Sequence, residues 1–317
     1  MEPGLVVQEQ SGFFWVEVAD GTVYRCRLRG RLMEEAQSSD IAAIGDRVKI
    51  TILHDDEEGD KGVIEEVEER ISAFSRAART EGNRGGGEAQ REHVIIANAD
   101  QAFFVIAAAQ PPPDSMLLDR LLVAGEKAEI EKLVIVVNKV DLVDMDHLNA
   151  RFQPYRDMGY EVLYTSAIEG EGIELIRERL KDRISVLTGP SGVGKTSLLN
   201  QIQDGLGRTV RAVSRYNEEG THTTRDSALI KLKEGGYLAD TPGMRYLNTW
   251  DVEPEELDAY FIDIAPFVEL CKFGDCTHQS EPGCAVREAV KDGRISRYRY
   301  RNYLALRAEL EEQYAYP

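Results

Sequence analysis

An all-β segment, then an α/β segment, then a small α-helical one is the multidomain order that this 317-residue sequence predicts. Three observations carry that expectation. The first 73 residues hold several short runs of alternating apolar and polar side chains separated by turn signals. From Val94 onward strand-like and helix-like runs alternate, and one junction between them reads Gly-x-x-x-x-Gly-Lys-Thr. Beyond about Trp250 the chain turns helical around three cysteines and a histidine. Alternating strands and helices imply a parallel sheet covered on both faces, which separates the middle segment from its neighbours.

In the first segment, residues 13–18 and 22–29 read as a hairpin closed by Asp20-Gly21. Tyr24, Cys26 and Leu28 point to one side and Arg25, Arg27 and Arg29 to the other. Further strands fit at 46–53 and 62–67, divided by an acidic loop at 54–61. So many short strands in so short a segment predict a small barrel of the OB type over residues 1–73. The arginine row is either a solvated face paired with neighbouring acids or a contact face for a polyanion.

Residues 74–93 are Gly-rich, polar and aperiodic, and read as a flexible loop or linker. The α/β segment then runs over 94–250. Strands fit at 101–109, 133–137, 161–165, 184–188, 227–232 and 237–239, and helices at 115–127, 148–158, 172–181 and 195–203. Residues 251–317 form the third segment.

Charge limits the partners. Lys and Arg total 38 against 56 Asp and Glu, a formal net charge of −18, which argues against a generic nucleic-acid coat. The balance is uneven: residues 1–73 stand near −9, whereas 285–307 stand near +5. A polyanion would be met through local patches. No apolar run approaches the roughly 20 residues of a spanning helix, and Met1-Glu2-Pro3-Gly4 lacks the features of an export signal. A soluble, cytoplasmic monomer with no membrane partner is the expectation.

The strand 184–188 enters Gly189-Pro190-Ser191-Gly192-Val193-Gly194-Lys195-Thr196-Ser197, a P-loop in its required strand-to-helix context. The glycines let backbone N–H groups converge on phosphate oxygens, and the following helix adds its positive end. Lys195 would reach the β- and γ-phosphates, and the Thr196 hydroxyl would ligate Mg²⁺. The apolar strand 133–137 ends in Asn138-Lys139-Val140-Asp141, an N-K-x-D tetrad. Its Asp carboxylate would accept from the N1–H and exocyclic amine of guanine, donors that adenine does not offer there. Asn138 would tie this loop to the P-loop, and the Lys139 stem would cover the base. Thr165-Ser166-Ala167, after the next strand, fits the loop whose backbone amide meets guanine O6.

Asp240-Thr241-Pro242-Gly243 matches a D-x-x-G loop, with Asp240 holding Mg²⁺ through water and the Gly243 amide sensing the γ-phosphate. Residues 220–225, Gly-Thr-His-Thr-Thr-Arg, fit switch I, where Thr223 or Thr224 completes the Mg²⁺ shell, Thr224 being favoured. In an ordinary GTPase the P-loop and switches precede N-K-x-D. Here N-K-x-D and Ser166-Ala167 come first, which is a circular permutation that leads switch II straight into the C-terminal segment. Met244 follows D-x-x-G where Ras-like enzymes carry a water-orienting Gln. His222 is the local candidate for that task, with a mere partner or solvent contact as the other reading.

Cys271, Cys276, His278 and Cys284 supply three thiolates and an imidazole, a donor set for one closed, structural Zn²⁺ site. Cys26, on the core-facing side of its strand, is expected to be simply packed.

These motifs together resemble the ribosome small-subunit-dependent GTPases, the circularly permuted RsgA/YjeQ group. The likeness runs nearly end to end, through residues 24–30, Ala97-Asn98-Ala99-Asp100-Gln101, Asp119-Arg120, Asn138–Asp141, Gly189–Ser197, 222–224, Asp240–Gly243 and the Cys/His cluster with Glu281. The resemblance implies an OB barrel, a permuted GTPase domain and a zinc domain. It also implies GTP hydrolysis to GDP and phosphate, stimulated by the small ribosomal subunit and its rRNA, as a checkpoint in late maturation of that subunit. The family's use of the switch I histidine supports His222. Arg225 departs from the third Thr that many members carry, and Thr196 replaces the commoner Ser. A GTP-gated RNA-binding adaptor, in which hydrolysis only resets binding, and an unrelated P-loop phosphotransferase are the readings of other classes.

Overall fold

A computed structural model describes residues 1–35, 40–53, 61–77, 92–210, 227–240 and 252–315. The N-terminal strands are β1 (Glu2–Gln10), β2 (Phe13–Val18), β3 (Val23–Leu28), β4 (Arg47–Leu53) and β5 (Lys61–Val67), with a short helix α1 (Gly30–Glu35) after β3. They pair in the order β1-β2-β3-β5-β4, and β1 also pairs with β4, which closes the barrel. β3 and β5 run parallel, while the other barrel pairs are antiparallel. This is the five-stranded OB architecture. Val6, Phe14, Val16, Cys26, Val48, Ile50 and Ile64 fill it. Burial pushes the Cys26 thiol up to about 12, in keeping with a packed, inert side chain.

β1 was not among the expected strands. Pro3 and Gly4 are depleted in strands, and Gln8, Glu9 and Gln10 extend its polar end. The strand forms because it bridges two sheets: one edge pairs with β2 from Gly4 to Gln10, while the other pairs with β4 through Glu2–Leu5 and with Ala228 and Ser227 of the α/β sheet through Gln8 and Glu9. The ends of the expected loop at 74–93 also differ. β6 (Ala73–Ala77) and β7 (Glu92–Ala97) form an antiparallel pair, held by the buried Phe74, Val94 and Ile96. Residues 78–91 lie outside the described residues.

The second sheet comprises β8 (Gln101–Ala107), β9 (Lys132–Asn138), β10 (Glu161–Thr165), β11 (Ile184–Thr188), β12 (Ser227–Lys231) and β13 (Tyr237–Asp240), in the order β10-β9-β8-β11-β13-β12. Five strands are parallel; β12 is antiparallel to β13. The all-parallel expectation fails there because the connection of residues 232–236 is too short for a crossover. Helices α2 (Ser115–Lys127) and α3 (Met145–Asp157) cover one face, and α4 (Ile173–Leu180) and α5 (Lys195–Ile202) the other. β8 shows the two-sided burial: Phe104 and Ile106 join Leu118, Leu122 and Phe152, whereas Phe103 and Val105 join Ile176 and Leu198. α3 starts earlier than residue 148 because the Asp144 carboxylate accepts from the Asp146 N–H at 2.8 Å and caps the helix there.

The Ala97–Gln101 stretch is a set of stitches. Asn98 Nδ2 donates to the Gly45 carbonyl (3.1 Å) and its Oδ1 accepts from the Ile71 N–H (2.8 Å), tying barrel to sheet. Asp100 accepts from the Ile184 N–H at 2.7 Å, which starts the strand leading to the P-loop.

The third segment holds α6 (Ala265–Val268), α7 (Ala285–Lys291) and α8 (Arg297–Ala315). Its core, with Phe261, Ile264, Tyr303, Leu306 and Leu310, also takes in Val123 of α2. A buried polar knot fixes this docking. Arg299 of α8 donates to Asp119 of α2 (2.7 Å) and to Asp263 (2.8 Å), while Asn302 (2.7 Å) and Tyr155 (2.8 Å) donate to Asp119. No helix among the described residues is long and apolar enough to cross a membrane.

Candidate nucleotide site and metal centre

The expected nucleotide loops leave the carboxyl ends of parallel strands, the edge where α/β sheets bind ligands. β11 runs into Gly189, β9 ends on Asn138, β10 hands over to Ser166, and β13 ends on Asp240. Two glycines of the P-loop are dictated by close approaches. At Gly189 (φ +151°) a Cβ would stand 2.0 Å from the Val105 carbonyl oxygen, and at Gly194 (φ +95°) it would stand 2.4 Å from Asn138 Nδ2. The second approach lets the two motifs touch.

Asn138, almost fully buried, is the joint. Its Nδ2 donates to the Val193 carbonyl of the P-loop at 2.9 Å, and its Oδ1 accepts from Thr165 Oγ1 and the Ala167 N–H, each at 3.2 Å. One side chain thus connects three loops from distant parts of the chain. Lys139, in the left-handed region (φ +64°), donates to the carbonyls of Gly192 (2.6 Å) and Gln110, which lays its stem between the guanine loop and the P-loop. Val140 is buried and opens a 3-10 turn that presents Asp141 to solvent, where its carboxylate accepts from Ser166 Oγ at 2.6 Å. The Ala167 amide is engaged by Asn138, so a guanine O6 meeting it would share that donor.

Lys195 opens α5, and its ammonium donates to the Gly189 and Pro190 carbonyls, each at 2.6 Å, so it lies along the P-loop. Ser191 and Gly192 are exposed at the loop crest, Thr196 is half-buried in the first turn of α5, and Ser197 is exposed beside it. The converging N–H groups and the helix N-terminus suit a polyphosphate. Asp240 closes β13 next to β11, the P-loop strand. His222, Thr223, Thr224 and Gly243, with Thr221, Arg225 and Met244, lie outside the described residues.

In the C-terminal segment, one ligand atom from each of Cys271, Cys276, His278 and Cys284 lies within 4.8 Å of all the others. His278 Nδ1 stands 3.6 Å from Cys271 Sγ and 3.4 Å from Cys284 Sγ, and those sulfurs are 4.0 Å apart. Sulfurs at that spacing are too far apart for a disulfide and suit ligands about 2.3 Å from a shared Zn²⁺. The donor set therefore fits zinc, whose binding there would supply folding energy and no open coordination position.

The centre has supports that sequence reasoning did not find. His278 Nε2 lies 3.0 Å from the Asp258 carboxylate, which orients the buried ring with Nδ1 toward the sulfurs. Asp258 is one acid among many, 13 residues ahead of Cys271, and nothing in the sequence marks it out. Glu281, noted above only as part of a motif, accepts from the backbone N–H groups of Thr277 (2.8 Å) and Ser280 (2.9 Å), on either side of His278. Burial alone would raise its carboxyl, but a hydrogen bond from the Thr277 hydroxyl, with these backbone bonds, brings it down to about 2.

A circularly permuted P-loop GTPase carrying a barrel and a Cys3His domain is the class that this fold and site define. Comparison with known proteins narrows it. The family model described as the RsgA GTPase matches residues 67–250, and that described as the RsgA N-terminal domain matches 3–64. A relative from Gemmatimonas aurantiaca, "Small ribosomal subunit biogenesis GTPase RsgA", is 41% identical over 97% of both chains. Its counterpart of the same name from Chlorobaculum parvum is 38% identical over 98% of both. Among solved structures, YjeQ from Thermotoga maritima superposes with a TM-score of 0.76 at 36% identity, covering 98% of each chain. YloQ, described as a circularly permuted GTPase, gives 0.74 at 31% identity over 99% of this chain and 96% of its own. The chain belongs to the RsgA GTPase family, and it is a GTP-hydrolysing enzyme.

Asp141→Asn tests the guanine reading. Removing a charged acceptor for two guanine donors is expected to cost roughly 2–4 kcal/mol of GTP affinity. Calorimetric titration checks it, and equal affinity of the unaltered protein for GTP and ATP would contradict the assignment.

Proposed function

We propose that this protein acts in the late maturation of the small ribosomal subunit, binding its rRNA and hydrolysing GTP to GDP and phosphate when docked there. The observation that carries the nucleotide part is the Asn138 joint, which brings the N-K-x-D, Ser-Ala and P-loop motifs together despite their permuted order. The names of the full-length relatives support the ribosomal part. The working division is a barrel at 1–73, a GTPase unit at 94–250 and a zinc unit at 251–317, in a monomer of the cytoplasm.

Within this reading the P-loop amides of 189–194 and the Lys195 ammonium hold the β- and γ-phosphates. Asp141 selects guanine. Thr196 and one of Thr223 and Thr224, Thr224 being favoured, would hold Mg²⁺ directly and Asp240 through water, and the ion would neutralise charge building on the phosphates. His222 accepts a proton from the attacking water, a task Met244 cannot perform. His222→Ala is expected to keep GTP affinity and subunit binding while losing most subunit-stimulated turnover. Near-normal turnover of that variant at saturating subunits would remove His222 from the mechanism.

The barrel face supports the rRNA part. The guanidinium carbons of Arg25 and Arg27 lie 5.2 and 4.5 Å from the Phe13 ring centroid, both side chains are exposed, and neither pairs with a carboxylate among the described residues. Arg29, by contrast, is bonded to Glu65. The contact face is therefore Phe13, Arg25 and Arg27 rather than the full row. Co-sedimentation with small subunits tests this reading: binding with a non-hydrolysable GTP analogue and release with GDP are expected, and binding indifferent to nucleotide would defeat it.

A further inference from the structure

We propose that the cleft between α2, α3 and the start of α8 is a second contact for single-stranded RNA, taking an unpaired base behind Tyr298 while the exposed Arg297 and Arg301 of the same helix end meet phosphates. The proposal rests on the ribosomal reading and adds an RNA site remote in sequence from the barrel face.

Charge is the first support. Residues 285–307 stand near +5 in a chain of −18. Inside α8, Arg299 and Arg307 are buried and paired with Asp119, Asp263 and Glu311. Arg297 and Arg301 are exposed and meet no carboxylate among the described residues, so they remain available to phosphates.

The second support is aromatic. Tyr298, 56% exposed in the first turn of α8, has the Arg301 guanidinium 4.5 Å from its ring centroid. An exposed ring beside a cation is a stacking platform for an unpaired base. The cleft is the third. Behind Tyr298 opens a cavity of about 390 Å³, floored by Ile106, Leu118, Phe152 and Tyr155 with Arg299 in its wall. That volume is within the range of small-ligand sites. A second cavity of about 590 Å³ continues past Tyr298 to Pro190 and Ser191 of the P-loop. The carboxylate in both linings, Asp114, is turned onto α2, accepting from the Met116 and Leu117 N–H groups. An apolar floor behind an exposed ring suits sequence-tolerant stacking of a single strand, Arg151 in both linings adds a cation, and a duplex offers no free base to enter.

The test uses the full-length, zinc-loaded protein and a short, labelled, uridine-rich single strand, with the same strand annealed to its complement as comparison. The single strand is expected to bind more tightly than the duplex. Tyr298→Ala should weaken it roughly tenfold, and Tyr298→Phe should restore it. Arg297→Ala with Arg301→Ala should reduce the slope of log affinity against log salt by about 1.4. Unchanged thermal unfolding of each variant shows that the loss is not one of folding. RNA binding lost in an Arg25→Ala, Arg27→Ala variant but intact in Tyr298→Ala would overturn the cleft and leave the ribosomal reading standing. Weakened subunit binding by Tyr298→Ala in a protein that binds no free single strand would give the cleft to a ribosomal protein and also overturn the proposal. The ribosomal reading fails separately, by absence of subunit binding.

Discussion

Stripping zinc from the Cys271, Cys276, His278 and Cys284 cluster is expected to unfold the chain from roughly residue 265 onward while GTP binding survives. Structural zinc in small domains supplies apparent binding energies of about 10–16 kcal/mol, as large as the roughly 5–15 kcal/mol that keeps a whole domain folded. Cys276 and Cys284 are themselves part of the segment's core, packed with Phe261, Ile264, Val286, Tyr303 and Leu306, so the metal holds the middle of that core together. Burial pushes the Cys276 thiol up from its ordinary value. Hydrogen exchange of the full chain before and after chelation measures the effect. Amides of α7 and α8 should lose protection, and those of β8, β9 and β11 should keep it. Protection of α8 that survives complete metal removal would contradict the structural role. Asp258→Asn, which weakens the orientation of His278, should lower zinc affinity by about 10- to 100-fold.

Arg299→Ala is expected to cost about 3–5 kcal/mol of stability, because it leaves the Asp119 and Asp263 carboxylates buried without their cation. The Arg299 guanidinium also packs 4.4 Å from the Phe261 ring centroid, so shape is lost along with charge. Burial already pushes the Asp119 carboxyl up, against the pull of Arg299, Asn302 and Tyr155. Removing the strongest of those partners leaves burial to dominate. Denaturant unfolding reads the change, and a loss below about 1 kcal/mol would mean that the knot does not hold α8 to α2.

The parts of this molecule that were legible in the sequence are those governed by local rules. The period of apolar residues and the Asp114 cap give α2 the bounds expected of it. Strands β10 and β11 are short apolar runs with clear punctuation, and they lie where the pattern placed them. Cys26 is in the barrel core because Tyr24, Cys26 and Leu28 alternate with arginines. What escaped depends on partners remote in the chain. β1 is a strand because two sheets accept it, β6 and β7 because they meet each other, and neither condition is written locally. β12 is reversed by the length of a loop. In the metal centre the ligands announce themselves by residue type and spacing, but Asp258 is recognisable only by its distance to His278. Asp119 likewise reads as an ordinary helix acid until α8 brings Arg299 onto it.

The arginine row illustrates the difference between pattern and contact. Alternation put Arg25, Arg27 and Arg29 on one face, and they are there. Only the structure separates Arg29, bonded to Glu65, from the two that stack on Phe13. A net charge of −18 therefore does not forbid an RNA-binding face. It confines that face to positions where acids are not opposite.

GTP turnover of the purified chain, measured alone, with large ribosomal subunits and with small ribosomal subunits, tests the central claim most directly. Met244 stands where a water-orienting Gln would be, so the chain alone should turn over slowly. Small subunits at saturation should raise the rate by at least roughly tenfold, a barrier change of about 1.4 kcal/mol, and large subunits should leave it unchanged. Equal rates in all three conditions, or stimulation by the large subunit alone, would contradict the account.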